Sequence, residues 1–159
     1  MTWNATGGTP IGYSITQGSL PPGLTLDGST GQLSGTPTRA GSFGPITVTA
    51  NNGIGSATQG VTIEIAPATL TITADAKTRA YGAANPTLTY SVSGLVNGDT
   101  AEAVLTGTLA TTATVSSPAG SYDIAQGSLT ANANYTIRFT GATLTVVDTY
   151  TVHLPLIIK

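Results

Sequence analysis

The stretch GSLPPGLTLDGSTGQLSGTPTRAGSF, Gly18 to Phe43, decides how the rest of the chain is read. Glycine, proline, serine and threonine alternate with single leucines, and Asp27 and Arg39 are its only charges. Leu24 and Leu26 lead into DGSTG, Asp27 to Gly31, and Leu33 resumes the apolar face. An aspartate in such a loop bonds the backbone two residues on, and glycine tolerates positive φ. The pattern predicts a β-hairpin, not a disordered linker. Pro21 and Pro22 remove two backbone donors and suit an extended lead-in or a sheet edge, and Pro37 acts similarly after Gly35.

Composition supports a folded β-protein. The chain has 159 residues, enough for one ordinary domain or two small ones. Hydrophobic residues make up 40% and charged residues 8%, the opposite of a disordered chain. The cations Lys77, Lys159, Arg39, Arg79 and Arg138 are scattered. Nucleic acid and anionic membrane are therefore not expected partners, because both require clustered positive charge. The absence of cysteine excludes disulfides, thiolate catalysis and Cys-ligated metal. Abundant threonine suits half-solvated strand faces without adding charge. Such a composition points to an exported, extracellular or cell-surface protein, although the N-terminal residues carry neither a basic nor an apolar signal region. No apolar run approaches the roughly 20 residues of a membrane span.

Period-two alternation predicts strands at Gly60 to Ile65, Thr69 to Ala74, Thr87 to Val92, Ser121 to Ala125, Tyr135 to Phe139 and Ala142 to Val147. One short helix is expected in GDTAEAVL, with Asp99 as its cap and Glu102 reaching back as in a capping box. A domain boundary is expected at Ala66-Pro67, where proline interrupts two alternating strands. The expected organisation is all-β: a first β-sandwich over 1–66, a second β-rich domain over 67–148 and a strand-like tail over 149–159.

The segment Tyr13 to Ile65, with its SLPPGL, DGSTG and SGTP elements in order, resembles the Putative Ig domain repeats of bacterial surface proteins. The resemblance implies a cysteine-free Ig-like or cadherin-like sandwich whose usual strand ahead of the ATGGTP turn, Ala5 to Pro10, is missing. The segment Thr69 to Val147 resembles the MBG repeats (YGX type) of bacterial adhesins. That resemblance rests on Tyr81-Gly82, Asn85-Pro86, the SGLVNGDT turn and the closing NYTI and GATLTV elements. Together the two resemblances imply a non-catalytic stalk or adhesin repeat. Its partners would be other repeats of the same protein or extracellular ligands such as glycans. A carbohydrate-binding accessory module of a secreted hydrolase and a self-assembling fibre subunit are the alternatives.

No residue pattern argues for catalysis, a cofactor or a metal. The acids Asp27, Glu64, Asp75, Asp99, Glu102, Asp123 and Asp148 fall in turns or on outer faces, and nothing gathers two of them as glycoside hydrolysis requires. His153 is the only histidine and no G-x-S-x-G elbow occurs. Calcium would have only Asp27 or Asp99 with carbonyls, far short of six to eight oxygens. Tyr90, Tyr122 and Tyr135 alternate with aliphatic or aromatic neighbours and are expected in the core, not on a sugar-binding platform with Tyr81. Trp3 is expected to pack on the first sandwich. Lys77, in a polar DAKTR run, is a poor candidate for an intramolecular amide crosslink.

The tail TYTVHLPLIIK, Thr149 to Lys159, places Tyr150, Val152, Leu154, Leu156 and Ile158 on one face. This is the alternation of an edge strand, and Pro155 fits an edge because it removes a ladder donor. These five residues are the candidates for strand pairing, with self-association as its consequence. A C-terminal sorting tag is the rival reading.

Overall fold

The computed structural model describes residues 1–9 and 11–148. The tail, with Tyr150, Val152, Leu154, Leu156 and Ile158 as well as His153, lies outside the described residues. The fold is all-β apart from one short helix, and it divides into two compact units. One comprises Met1–Ala68 with Ala133–Thr136, and the other Thr69–Asn132 with the chain from Ile137 on.

The first unit contains β1 (Gly12–Gln17), β2 (Leu24–Leu26), β3 (Leu33–Gly35), β4 (Gly41–Asn51) and β5 (Ser56–Ile65). β1, β4 and β5 form an antiparallel sheet in that order. Tyr13 pairs with Ala50, Val48 lies between Ile15 and Gln59, and Ile46 faces Val61. Directly opposed residues share a face, so these side chains form one apolar surface. A bulge between Phe43 and Ile46 keeps both on that surface, with Phe43 opposite Ile63. Ile46 and Val48 are buried, whereas Val61, Ile63 and Ile65 are only half-buried.

The hairpin expected from DGSTG is β2–β3, in register Leu26 with Leu33 and Leu24 with Gly35. Pro21 and Pro22 differ from the extended lead-in: they open a turn, closed by the Leu24 amide on the Pro21 carbonyl at 3.1 Å. Proline suits this place because its fixed φ matches a turn and it has no donor to lose. Pro21 is fully buried.

The second unit contains most of β6 (Ala68–Ala74) and of β13 (Tyr135–Thr140), together with β7 (Lys77–Ala80), β8 (Tyr90–Ser93), α1 (Ala101–Val104), β9 (Leu105–Thr106), β10 (Ala110–Thr111), β11 (Gly120–Ala125), β12 (Thr130–Ala131) and β14 (Ala142–Val147). One sheet runs β10-β11-β14-β7, a second β13-β6-β8, and β9 pairs with β12. β14 pairs antiparallel with β11 and parallel with β7. Leu70, Ile72, Ile124, Leu129, Leu144 and Val146 form a fully buried core, the inward halves of the alternating segments.

Two local expectations are corrected. The strand foreseen from Thr87 begins at Tyr90, opposite Ala74 at the end of β6, with one further backbone bond from the Asp75 amide to the Thr89 carbonyl at 2.9 Å. The helix is capped by Thr100, not Asp99, and Thr100 makes no side-chain cap bond. Asp99 belongs instead to a turn that Asn97 and Gly98 complete at positive φ, its amide bonded to the Val96 carbonyl at 3.0 Å. The capping box with Glu102 is therefore not formed.

Candidate functional site

Asp27, Glu64, Asp75 and Lys77, singled out in the sequence, are engaged locally. Asp27 Oδ1 accepts hydrogen bonds from the Ser29 hydroxyl at 2.7 Å and from the Ser29 and Thr30 amides at 2.8 and 2.9 Å. These donors, the Ser29 hydroxyl first, hold its carboxyl well below the usual aspartate range. Glu64 accepts from the Ser42 hydroxyl. Among the described residues no group of three or more acids or histidines could hold a metal ion.

Lys77 Nζ donates to the Thr89 hydroxyl at 2.6 Å, and Thr89 donates to Asp75. A hydroxyl offers no acyl carbon, so this contact is not that of an amide crosslink. The four tyrosines singled out differ in exposure. Tyr135 is buried, Tyr90 and Tyr122 are half-buried with the Tyr122 hydroxyl donating to the Pro118 carbonyl at 2.9 Å, and Tyr81 is 53% exposed.

Trp3 packs as expected, 7% exposed, with its amide on the Gly31 carbonyl at 3.0 Å. Its indole N–H is buried and has no acceptor. A buried donor without a partner costs on the order of 1–3 kcal/mol. Trp3 lines a groove of about 150 Å³ with Tyr13, Val48, Ala57, Thr58 and Gln59. The last three belong to β5, which is an edge strand among the described residues. A second groove of about 300 Å³ adjoins it through Ala57 and reaches the hairpin tip, where Ile54 is 90% exposed. Sequence reading found Trp3 but missed the β5 edge, since an edge is a property of sheet order and not of pattern.

In the second unit the dominant polar feature is Arg79, 6% exposed on β7. Its guanidinium donates to Asn85 Oδ1 at 2.7 Å, to the Ala80 carbonyl at 3.0 Å and to the Thr114 carbonyl. Asn85 Nδ2 donates to the Ala113 carbonyl at 2.7 Å. The Tyr81 amide donates to the Val147 carbonyl at 2.8 Å, so the loop from Tyr81-Gly82 to Asn85-Pro86 is tied at both ends. Residues 2–66 match the Putative Ig domain family and residues 70–145 match the MBG domain (YGX type). The chain is an Ig domain followed by an MBG domain. No curated protein matches it.

Within the MBG domain, Arg79 and Asn85 give the Tyr-Gly and Asn-Pro elements a shared purpose. Polar side chains there replace apolar packing by pinning an irregular loop to two carbonyls. Both domains are of repeat types typical of bacterial surface proteins, and neither is a catalytic type. Among the described residues no helix is long and apolar enough to cross a membrane.

Proposed function

We propose that this chain is a non-catalytic display and adhesion block of a secreted or cell-surface bacterial protein. The tandem of the Ig and MBG domains carries the reading, since both are repeat types of bacterial surface proteins. The engagement of Asp27, Glu64 and Asp75 with the neighbouring Ser29, Ser42 and Thr89 hydroxyls supports it, since these three acids serve the local fold. With 8% charged residues, contact with a ligand depends on threonine, asparagine and tyrosine surfaces.

Such adhesion differs from charge-driven adhesion in its response to salt, because exposed charges farther apart than roughly 10 Å are screened at 0.1 M ionic strength. Beads coated with the full chain should bind glycan-bearing or matrix-coated surfaces equally at low and high sodium chloride. Surface labelling of intact cells with an antibody against the chain should be positive. Binding that disappears with salt would exclude the neutral-contact mechanism, and labelling that requires permeabilised cells would exclude display.

A further inference from the structure

Asp123 on β11 differs from the acids engaged with neighbouring hydroxyls. Among the described residues its carboxylate has no hydrogen-bond or ion-pair partner. It lines an open groove of about 440 Å³ in the MBG domain, with Ala125, Gln126, Phe139, Gly141 and Thr143. That volume lies in the range of small-molecule sites and exceeds that of either groove described in the Ig domain.

The groove is built at a corner of the fold. β13 ends at Thr140 and β14 begins at Ala142, so the chain passes from one sheet to the other through Gly141. Phe139, half-buried, stands just before that corner. A Cβ at Gly141 would lie 2.9 Å from the Ile124 carbonyl oxygen and 3.8 Å from Phe139 Cε1, so glycine leaves this side of the ring uncovered. Asp123 is directly opposite Thr143 in the β11–β14 register, which puts their side chains on one face. Gln126 Nε2 donates to the Leu129 carbonyl at 2.8 Å, a bond that holds the amide in place with Oε1 as its acceptor.

The lining chemistry selects the ligand. The Phe139 ring presents an electron-rich face that suits C–H groups. Asp123 and Gln126 Oε1 accept hydrogen bonds, and the Thr143 hydroxyl can donate or accept. Neither lysine nor arginine lines the groove, so nothing there favours an anion. A ligand with a C–H face and a rim of hydroxyl donors meets all of these groups, and a pyranose has both. We propose that this groove binds a neutral saccharide, one pyranose ring stacked on Phe139 and its hydroxyls donating to the Asp123 carboxylate and Gln126 Oε1. An organic ammonium also suits a ring beside a carboxylate, but such cations are held in cages of several aromatic rings, and here Phe139 stands alone. The inference rests on the adhesive reading and gives it a ligand class and a place.

Titration of the full chain with lactose, maltose, cellobiose and mannobiose, followed by amide NMR shifts, should show saturable binding of at least one sugar. The largest shifts should fall at Asp123, Gln126 and Gly141. Asp123→Asn removes the charge at nearly constant size, and Phe139→Leu keeps apolar bulk without the ring. Each should weaken that binding about 5- to 10-fold. Glu102→Gln, which removes a carboxylate from α1, should leave it unchanged. If Phe139→Leu does not fold, Asp123→Asn decides, since it alters an exposed side chain. The proposal is overturned by the absence of saturable binding up to tens of millimolar sugar, by shifts that map away from the groove, or by Asp123→Asn binding as the wild type does. Tetramethylammonium saturating these residues where the sugars do not would overturn it in favour of a cation site. Beads that adhere equally well with Asp123→Asn would overturn this groove as the adhesive contact and leave adhesion standing. Sugar binding in solution by a chain whose beads adhere to nothing would uphold the groove and remove the adhesive role.

Discussion

Arg79 Nε donates to Asn85 Oδ1 at 2.7 Å, and Asn85 Nδ2 donates in turn to the Ala113 carbonyl, also at 2.7 Å. A buried guanidinium is thereby held by neutral acceptors in a fixed fork. Lysine cannot reproduce that fork. Arg79→Lys should destabilise the MBG domain by about 2 kcal/mol, and Asn85→Ala by a similar amount. Denaturant unfolding of the single and double variants should give a double-mutant loss well below the sum. Full additivity would mean that the two residues act separately.

Gly31 and Gly53 both have positive φ, 68° and 81°. A Cβ at Gly31 would lie 2.6 Å from the Trp3 carbonyl oxygen and 3.0 Å from the Tyr13 ring, whereas one at Gly53 would meet nothing within 4 Å. Gly31→Val should therefore lower the melting temperature of the Ig domain far more than Gly53→Val, whose cost is backbone strain alone, on the order of 1–2 kcal/mol. Equal losses would remove the steric argument.

The depressed Asp27 carboxyl links hairpin stability to pH. A group whose folded pKa lies below its unfolded value stabilises fully above the unfolded value, and that stabilisation fades as pH falls toward the folded one. Melting of the Ig domain should therefore lose stability below about pH 4. Asp27→Asn, which keeps an acceptor oxygen but does not ionise, should flatten that part of the profile. An unchanged profile would place the acid sensitivity elsewhere.

Ile72 in the MBG domain is fully buried, and Ile63 in the Ig domain is half-buried. Ile72→Ala should cost about 3 kcal/mol, because it removes transfer energy and leaves a cavity. Ile63→Ala should cost about 1 kcal/mol, since solvent already reaches the side chain. Chemical denaturation of each variant measures both values.

What could be read in advance divides along physical lines. The DGSTG hairpin, β6, β11, β13 and β14 were legible because an alternating apolar row and turn residues agree there. β7 was hidden because KTRA carries charges at alternate positions, and one of them, Arg79, turns inward. The inward-facing charge is tolerated only through Asn85 and two loop carbonyls distant in sequence, which no local window contains. The Asp99 cap failed for a similar reason: positive φ at Asn97 and Gly98 commits Asp99 to the preceding turn. Trp3 was foreseen as packed, but its orphan N–H depends on what lies opposite it in space.

The parallel pairing of β7 with β14 has a consequence for a molecule held at its two ends. Lys77 to Ala80 lie in register with Leu144 to Val147, and both strands run the same way. Once tension has drawn β6 away from β8 and β13, it pulls the start of β7 backward and the end of β14 forward, and these two strands must slide past one another. The rungs of the ladder then share the load in shear, where an antiparallel hairpin pulled from its open end would unzip one rung at a time. A single-molecule stretching experiment should therefore find the MBG domain yielding abruptly at one force peak, and the Arg79 fork on β7 adds bonds that must break in the same event.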